Sequence, residues 1–315
     1  MPGGGSVSIV LVTRDGMATL PRVLDAITTQ EIDLEVEIIA VDSASTDGTA
    51  SLLADRADRL ITVPPEDFDH GLTRNLAIGQ AHGDLVVLLV QDAEPAGSRW
   101  LEELTTPLRG DPGLAGAFAR QQPRPEASRL TRASLARWVA AQEQGWIASV
   151  ADTDAFKAMT PMQRFMTCVF DNVCSCVRRS VWQEHPFRAT GIAEDLEWSR
   201  EVLLAGHRIA YVPGAVVIHS HERTVRYELG RTFLVHRRLF ELFELRTIPT
   251  VPALVRSWAV TLRDHLRWLK APGPARPGAG EVLRALALVW AWPLGQYLGG
   301  RAGANGWRLR RLSKI

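Results

Sequence analysis

The chain has 315 residues with a formal charge of +1, and 46% of them are apolar. That length holds one large α/β domain plus an appendage, and the near-neutral charge excludes the global basic field that nucleic-acid binding requires. Three cysteines, Cys168, Cys174 and Cys176, form an odd, clustered set that excludes a disulfide framework and fits a reducing compartment. Without a second cysteine pair they read as structural thiols rather than a zinc site. Met1–Gly5 has no basic character, and the apolar stretch after it is too short for a signal peptide or a membrane span. Ala285–Gly300 is uncharged, but it falls short of the ~20 residues a span needs and is interrupted by Pro293 and glycines, which predicts a surface-lying segment.

In chain order, Val7–Thr13 is a continuous apolar, β-branched run, the pattern of a buried parallel strand. Leu20, Val23, Leu24 and Ile27 give helical spacing over Leu20–Thr29, with Pro21 suited to the first turn. Val36–Val41 predicts a second strand, Thr49–Asp58 a helix, Arg59–Val63 a third strand, Thr73–Gln80 a helix and Leu85–Val90 a fourth strand. This alternation implies a mostly parallel sheet with helices on both faces. In such sheets ligands sit at the carboxyl ends of the strands, so Thr13-Arg14-Asp15, Asp42 and Asp92 are expected to converge on one edge. Trp100–Leu108 reads as helix, Gln121–Arg132 as a polar loop, Leu130–Trp146 as an amphipathic helix and Ala151–Met166 as a mobile loop. Asn172–Arg178 reads as a strand, and Glu194–Ala205 as a helix closed by Gly206. Ile209–Val212 and Ala215–His219 read as two short strands, Tyr227–Lys270 as helical, and Ala271–Gly280 as a linker or sharp turn.

Several of these positions can carry chemistry. Asp92, at a strand end, can hold Mg²⁺ or Mn²⁺ while the ion bridges a diphosphate, or serve as a turn or cap residue. Asp42 can accept from a base N–H or a ribose hydroxyl, or cap the helix near Thr49. Asp47-Gly48 shapes that loop. In Phe68-Asp69-His70-Gly71-Leu72-Thr73-Arg74-Asn75, Gly71 permits tight backbone geometry, Thr73 can cap, and Arg74 offers a planar fork for phosphate or base, or for a surface salt bridge. Glu194-Asp195 opens a helix whose positive end favours charged carboxylates; one of them can accept a proton from an attacking hydroxyl, or both can simply decorate the terminus. His219 and His221, two apart, point to opposite faces if a strand runs through them, so only one would then face the site. Imidazole suits Mn²⁺ better than Mg²⁺. No Gly-x-Ser-x-Gly elbow is present, which argues against an α/β-hydrolase.

Val7–Arg14, "VDSASTDGT" at 41–49, "FDHGLTRN" at 68–75, "QDAEP" at 91–95, "NVCSCVRRSVW" at 172–182, "AEDLEW" at 193–198 and "YVPGAVVIHSH" at 211–221 together resemble inverting family 2 glycosyltransferases of the GT-A fold, in the rhamnosyltransferase-like branch. The likeness spans roughly residues 6–240. It implies an α/β GT-A domain over 1–225, with a nucleotide-sugar half at about 6–95 and an acceptor half at about 96–225, followed by a helical region over 226–315. It implies nucleotide contacts from Thr13, Arg14, Asp42, Arg74 and Gln91, acceptor-side positions at Glu194 and Trp198, and Asp195 as catalytic base. Asp92 takes the place of the last aspartate of the family's Asp-x-Asp metal motif, while Val90 stands where the first would be. His219 or His221 would add a ligand to Mn²⁺ or Mg²⁺, with His219 favoured.

The reaction implied is metal-dependent transfer of a sugar, best matched by L-rhamnose or another deoxyhexose on dTDP or UDP. The acceptor is a hydroxyl of a glycan or lipid-linked molecule in bacterial surface polysaccharide synthesis. Alternatives are transfer to polyprenyl phosphate and a non-catalytic sugar-nucleotide-binding scaffold. The expected location is the cytoplasm, including the inner face of the plasma membrane. Trp258, Trp268, Trp290, Trp292 and Trp307, among leucines and arginines and followed by Arg308, Arg310, Arg311 and Lys314, suit either an anionic membrane surface or a helical bundle that packs on the catalytic domain or mediates homo-oligomerisation.

Overall fold

The computed structural model describes residues 5–270 and 277–305. The readings that fall on Met1–Gly4, on 271–276 of the linker, and on Trp307, Arg308, Arg310, Arg311 and Lys314 lie outside the described residues. The first elements are β1 (Ser6–Thr13), α1 (Leu20–Thr28), β2 (Glu35–Asp42), α2 (Thr49–Arg56), β3 (Arg59–Thr62), α3 (His70–Ile78) and β4 (Leu85–Val90). They follow the alternation read from hydrophobic periodicity. β1 pairs in parallel with β2 and β4, and β2 with β3. α1 buries Leu20, Val23, Leu24 and Ile27 against this sheet, and Pro21 occupies its first turn, where a missing N–H costs nothing. α3 starts three residues before the expected Thr73, because the Asp69 carboxylate accepts from the N–H groups of Gly71 and Leu72 while the Thr73 hydroxyl accepts from the Asp69 N–H.

The chain continues through β5 (Glu94–Pro95), α4 (Trp100–Gly110), β6 (Leu114–Gln122), α5 (Arg129–Leu135), β7 (Trp146–Ala148), α6 (Thr153–Ala158) and α7 (Pro161–Thr167). It ends with β8 (Cys174–Arg178), α8 (Arg179–Glu184), α9 (Glu194–Leu204), β9 (Arg208–Ile218), α10 (Val225–Phe243), α11 (Val251–Lys270) and α12 (Ala279–Asn305). The sheet order is β3-β2-β1-β4-β8-β6-β9-β5, with β7 paired to β9. β8 runs antiparallel between β4 and β6, and β6 is parallel to β9. This is the α/β GT-A arrangement. The three cysteines are buried and free, and burial pushes the Cys168 and Cys176 thiols up to about 12, as expected of packing residues.

Five readings are corrected. β6, absent from the sequence reading, is a central strand. Leu130–Trp146 is not one helix but α5, a 3₁₀ turn at Val139–Ala141 and β7, and Ala151–Met166 folds into α6 and most of α7 instead of a loop. The two short strands are one, β9, whose register against β6 jumps from Ala119↔Val212 to Arg120↔Val216. Pro213, which has no N–H to give, and Gly214 sit in that bulge. Ala285–Gly300 lies inside the continuous helix α12, with Ala285, Leu288, Val289, Ala291 and Tyr297 buried, rather than along a surface.

By contact density the chain divides into one unit of Met1–Gln122, Val139–Ala158 and Thr167–His219, and a second of Pro123–Trp138, Met159–Met166 and Ser220–Ile315. The first holds the whole sheet. Within the second, α12 lies against α10 along Gly295, Gly299 and Gly303, a stripe of glycines four residues apart. A Cβ on Gly299 would meet the Phe233 carbonyl oxygen at 2.3 Å, and one on Gly303 the Arg237 carbonyl oxygen at 2.9 Å. The glycines that read as interruptions are therefore the seam that lets two helix backbones meet. Leu130 of α5 joins Ala285, Leu288 and Ala291 in a small core, and the Trp292 indole donates to Glu228 at 3.0 Å. Among the described residues no helix is long and apolar enough to cross a membrane.

Candidate active site

Parallel register places Thr13, the last residue of β1, beside Asp42, the last of β2. Both are buried, with the Thr13 hydroxyl 3.1 Å from Asp42 Oδ1, and Asp42 Oδ2 accepts from the Ser45 N–H at 2.9 Å. The Gln91 amide, just past β4, closes a two-point clamp on Arg14: the Arg14 N–H donates to Oε1 at 2.8 Å, and Nε2 donates to the Arg14 carbonyl at 2.9 Å. Gly16 is needed for this clamp, since a Cβ there would sit 2.7 Å from Gln91 Oε1. Asp47 accepts from the Met17 N–H and from Thr49, stitching the β2–α2 loop to the β1–α1 loop. Thr13, Arg14, Asp42 and Gln91 thus share the carboxyl edge of the parallel strands, and the Arg14 side chain is exposed there.

Arg74, read from sequence as a nucleotide contact, is turned toward Glu194. Its guanidinium lies 2.7 Å from the Glu194 carboxylate, both groups buried, and also donates to the His70 carbonyl at 2.9 Å. Burial pushes Glu194 up, but Arg74, with His70 and the Asn172 amide at 3.2 Å, outweighs it and holds the carboxyl below its ordinary value. Glu194 is therefore a fixed negative charge at the start of α9. Asp195, the next residue, accepts from the N–H groups of Leu196 at 2.8 Å and Asn172 at 3.3 Å. Burial, then the neighbouring charges of Glu194 and Asp171, raise its carboxyl well above the usual aspartate range. Two adjacent carboxyls are driven in opposite directions, the arrangement that separates a proton-transfer group from its electrostatic neighbour.

On the other side of β4, Asp92 Oδ1 lies 3.6 Å from His219 Nε2. His219 is the first residue after β9 and is buried. Its Nδ1 is 3.1 Å from Gln121 Oε1, and Gln121 Nε2 donates to Asp171 Oδ2 at 2.7 Å. A carboxylate only accepts, so Asp171 fixes the amide nitrogen of Gln121 toward itself. The amide oxygen then faces His219, which must place its hydrogen on Nδ1. In the neutral ring Nε2, the nitrogen nearer Asp92, is left as the one with a lone pair. A carboxylate oxygen and an imidazole nitrogen oriented through the far side of its ring make a donor set that fits a divalent cation. Asp171 carries this network on to Asp195 through their charges. β9 ends at Ile218, so the opposite-face rule for His219 and His221 does not apply; His221 falls in the second unit.

Trp198, expected on the acceptor side, is a core residue. It is 1% exposed, packs on Phe170 and Phe187, and its indole donates to the His185 carbonyl at 2.8 Å. Gln121, Asp171 and Asn172 were not singled out from sequence. Gln121 is the penultimate residue of β6, so the rule that polar residues at strand ends gather at one edge would have singled it out had that strand been recognised.

The glycosyl transferase family 2 model matches residues 8–167, half of the chain. The O-antigen chain rhamnosyltransferase RfbN of Salmonella typhimurium is 33% identical over 232 residues, 72% of this chain and 70% of the relative. The chain belongs to glycosyl transferase family 2. A second relative of this glycosyltransferase, the O-antigen chain rhamnosyltransferase WbaN of Salmonella anatum, is 34% identical over 62% of the chain and 60% of its own length. Among solved structures, the mannosyltransferase PcManGT of Pyrobaculum calidifontis, in complex with GDP-Man and Mn²⁺, superposes with a TM-score of 0.54 at 20% identity, over 98% of this chain and 77% of that one. That likeness bears on the fold.

Proposed function

We propose that this glycosyltransferase moves L-rhamnose or another deoxyhexose from a dTDP- or UDP-linked donor to a hydroxyl of a glycan or lipid-linked acceptor in bacterial surface polysaccharide synthesis, with inversion. The O-antigen relatives support the sugar and acceptor class. The observation that carries the mechanism is Asp195, a carboxyl with a raised pKa at the start of α9. Asp195 takes the proton of the acceptor hydroxyl as that oxygen bonds to the anomeric carbon. The bond from this carbon to the diphosphate oxygen breaks, and the nucleoside diphosphate leaves with the electron pair. One displacement through an oxocarbenium-like state inverts the centre. A raised pKa makes the Asp195 carboxylate a stronger base than an ordinary aspartate.

Glu194 and Arg74 are positioning residues that fix the charge beside Asp195, and Thr13, Arg14, Asp42 and Gln91 form the nucleotide edge. Asp92 and His219 would hold Mn²⁺ or Mg²⁺, and the imidazole favours Mn²⁺. When bound, the ion supplies positive charge at the departing diphosphate. Exposed Val255, Leu283 and Trp290 in α11 and α12 support peripheral attachment at the inner face of the plasma membrane.

The test is Asp195→Asn. Transfer, read as nucleoside diphosphate release from dTDP-rhamnose with a glycan acceptor, should fall about 10²- to 10⁴-fold, while calorimetric donor affinity stays unchanged. Transfer at the wild-type rate would remove Asp195 as the base.

A further inference from the structure

Glu184, His185 and His207 lie away from the nucleotide edge and have no part in the proposed reaction. Glu184 ends α8, His185 follows it, and His207 sits in the turn between α9 and β9. Each offers one ligand atom within 4.8 Å of the others. The two rings face each other edge-on, centroids 6.2 Å apart at 77°. His185 is oriented from behind: its Nδ1 is 3.3 Å from Glu201 Oε1, and Glu201 is itself held by Arg188 Nη2 at 3.0 Å and Nε at 3.2 Å. A carboxylate behind the ring puts the hydrogen on Nδ1 and makes Nε2 the coordinating nitrogen. The main chain is fixed too, since the His185 N–H donates to the Val181 carbonyl at 2.9 Å and its carbonyl accepts from the Trp198 indole.

We propose that Glu184, His185 and His207 form a second divalent-metal site, suited to Zn²⁺, with Glu201 as the positioning carboxylate behind His185. Two imidazoles and one carboxylate, with a fourth position for water, are a zinc donor set. Oxygen-preferring Mg²⁺ is disfavoured by the two nitrogens. The chain between His185 and His207 contains all of α9, including Asp195, so a bound ion closes this segment into a loop and stiffens the helix that carries the proposed base. The site stands whether or not the assignment of Asp195 does.

The experiment uses the full chain, stripped with chelator, in an Asp92→Ala/His219→Ala background that removes the other candidate ligands. Titration calorimetry with Zn²⁺ should give one bound ion, with a rise in Tm and slowed hydrogen exchange over 185–207. Adding His207→Gln, or separately Glu184→Gln at an exposed position, should weaken Zn²⁺ at least tenfold with the metal-free Tm unchanged. Glu201→Gln should weaken it about 10- to 100-fold. No binding in the background protein, or binding untouched by both His207→Gln and Glu184→Gln, would overturn the proposal.

Discussion

Burial, Glu194 and Asp171 all penalise the charged form of Asp195, so its folded-state pKa lies above its unfolded one. Such a group favours the fold most below the unfolded aspartate value of about 3.9, and that contribution is lost as pH rises through the raised folded value. The wild-type protein should therefore carry an unfavourable charge at neutral and alkaline pH that Asp195→Asn lacks. Thermal unfolding should find the variant more stable near pH 8 and equal near pH 4. A variant less stable at every pH would contradict the direction of the shift. The same shift requires transfer to rise with pH through a value above the ordinary aspartate range, because the base acts deprotonated. Asp92, Asp195 and His219 could be singled out as candidates because each sits in a motif or at a predicted strand end. Gln121 and Asp171 were not, since a lone glutamine and a lone aspartate carry no periodicity; only three-dimensional pairing reveals them.

Among the elements, α3 is held to the segment before α9 by two features of "FDHGLTRN". Asn75 bonds both main-chain groups of Phe187, donating at 2.8 Å and accepting at 3.1 Å, and accepts from the Trp182 indole at 2.8 Å. Gly71 lets α3 approach so closely that a Cβ would fall 2.1 Å from the Arg188 carbonyl oxygen. Gly71→Ala must push these backbones apart, at a cost of about 1–3 kcal/mol, and should lower the denaturation midpoint and loosen the Arg74–Glu194 pair. An unchanged midpoint would show the approach to be slack. The glycine was noticed in the sequence, but its partner, more than a hundred residues on, was not. The first four strands were readable from β-branched runs. β6, "LAGAFARQQ", was not, because it lacks β-branched residues altogether and owes its strand state to β8 and β9 on either side.

The molecule's second unit was anticipated as helical but misread in detail. Its α12 looked broken by Pro293 and glycines, yet the glycines recur every fourth residue and make one face of a helix. Gly299→Leu should cost the α10–α12 seam at least 1–3 kcal/mol by the same overpacking argument. Separate hydrogen-exchange readouts for the two units should show the loss over α10 and α12. Protection unchanged there would mean the helices do not meet along this face. The boundary expected after residue 225 follows composition, whereas contacts also draw Pro123–Trp138 and Met159–Met166 into the second unit. Such discontinuous membership leaves no compositional trace.

An amide, unlike a hydroxyl, cannot reverse its polarity in place. Because Gln121 must present nitrogen to Asp171 and oxygen to His219, hydrogen bonding between the two has a single permitted sense. Loss of charge at Asp171 would release that constraint, allow the glutamine to flip, and leave the histidine free to take its other tautomer. The proposed proton acceptor, Asp195, and the proposed metal ligand, His219, are therefore linked through the orientation of one amide.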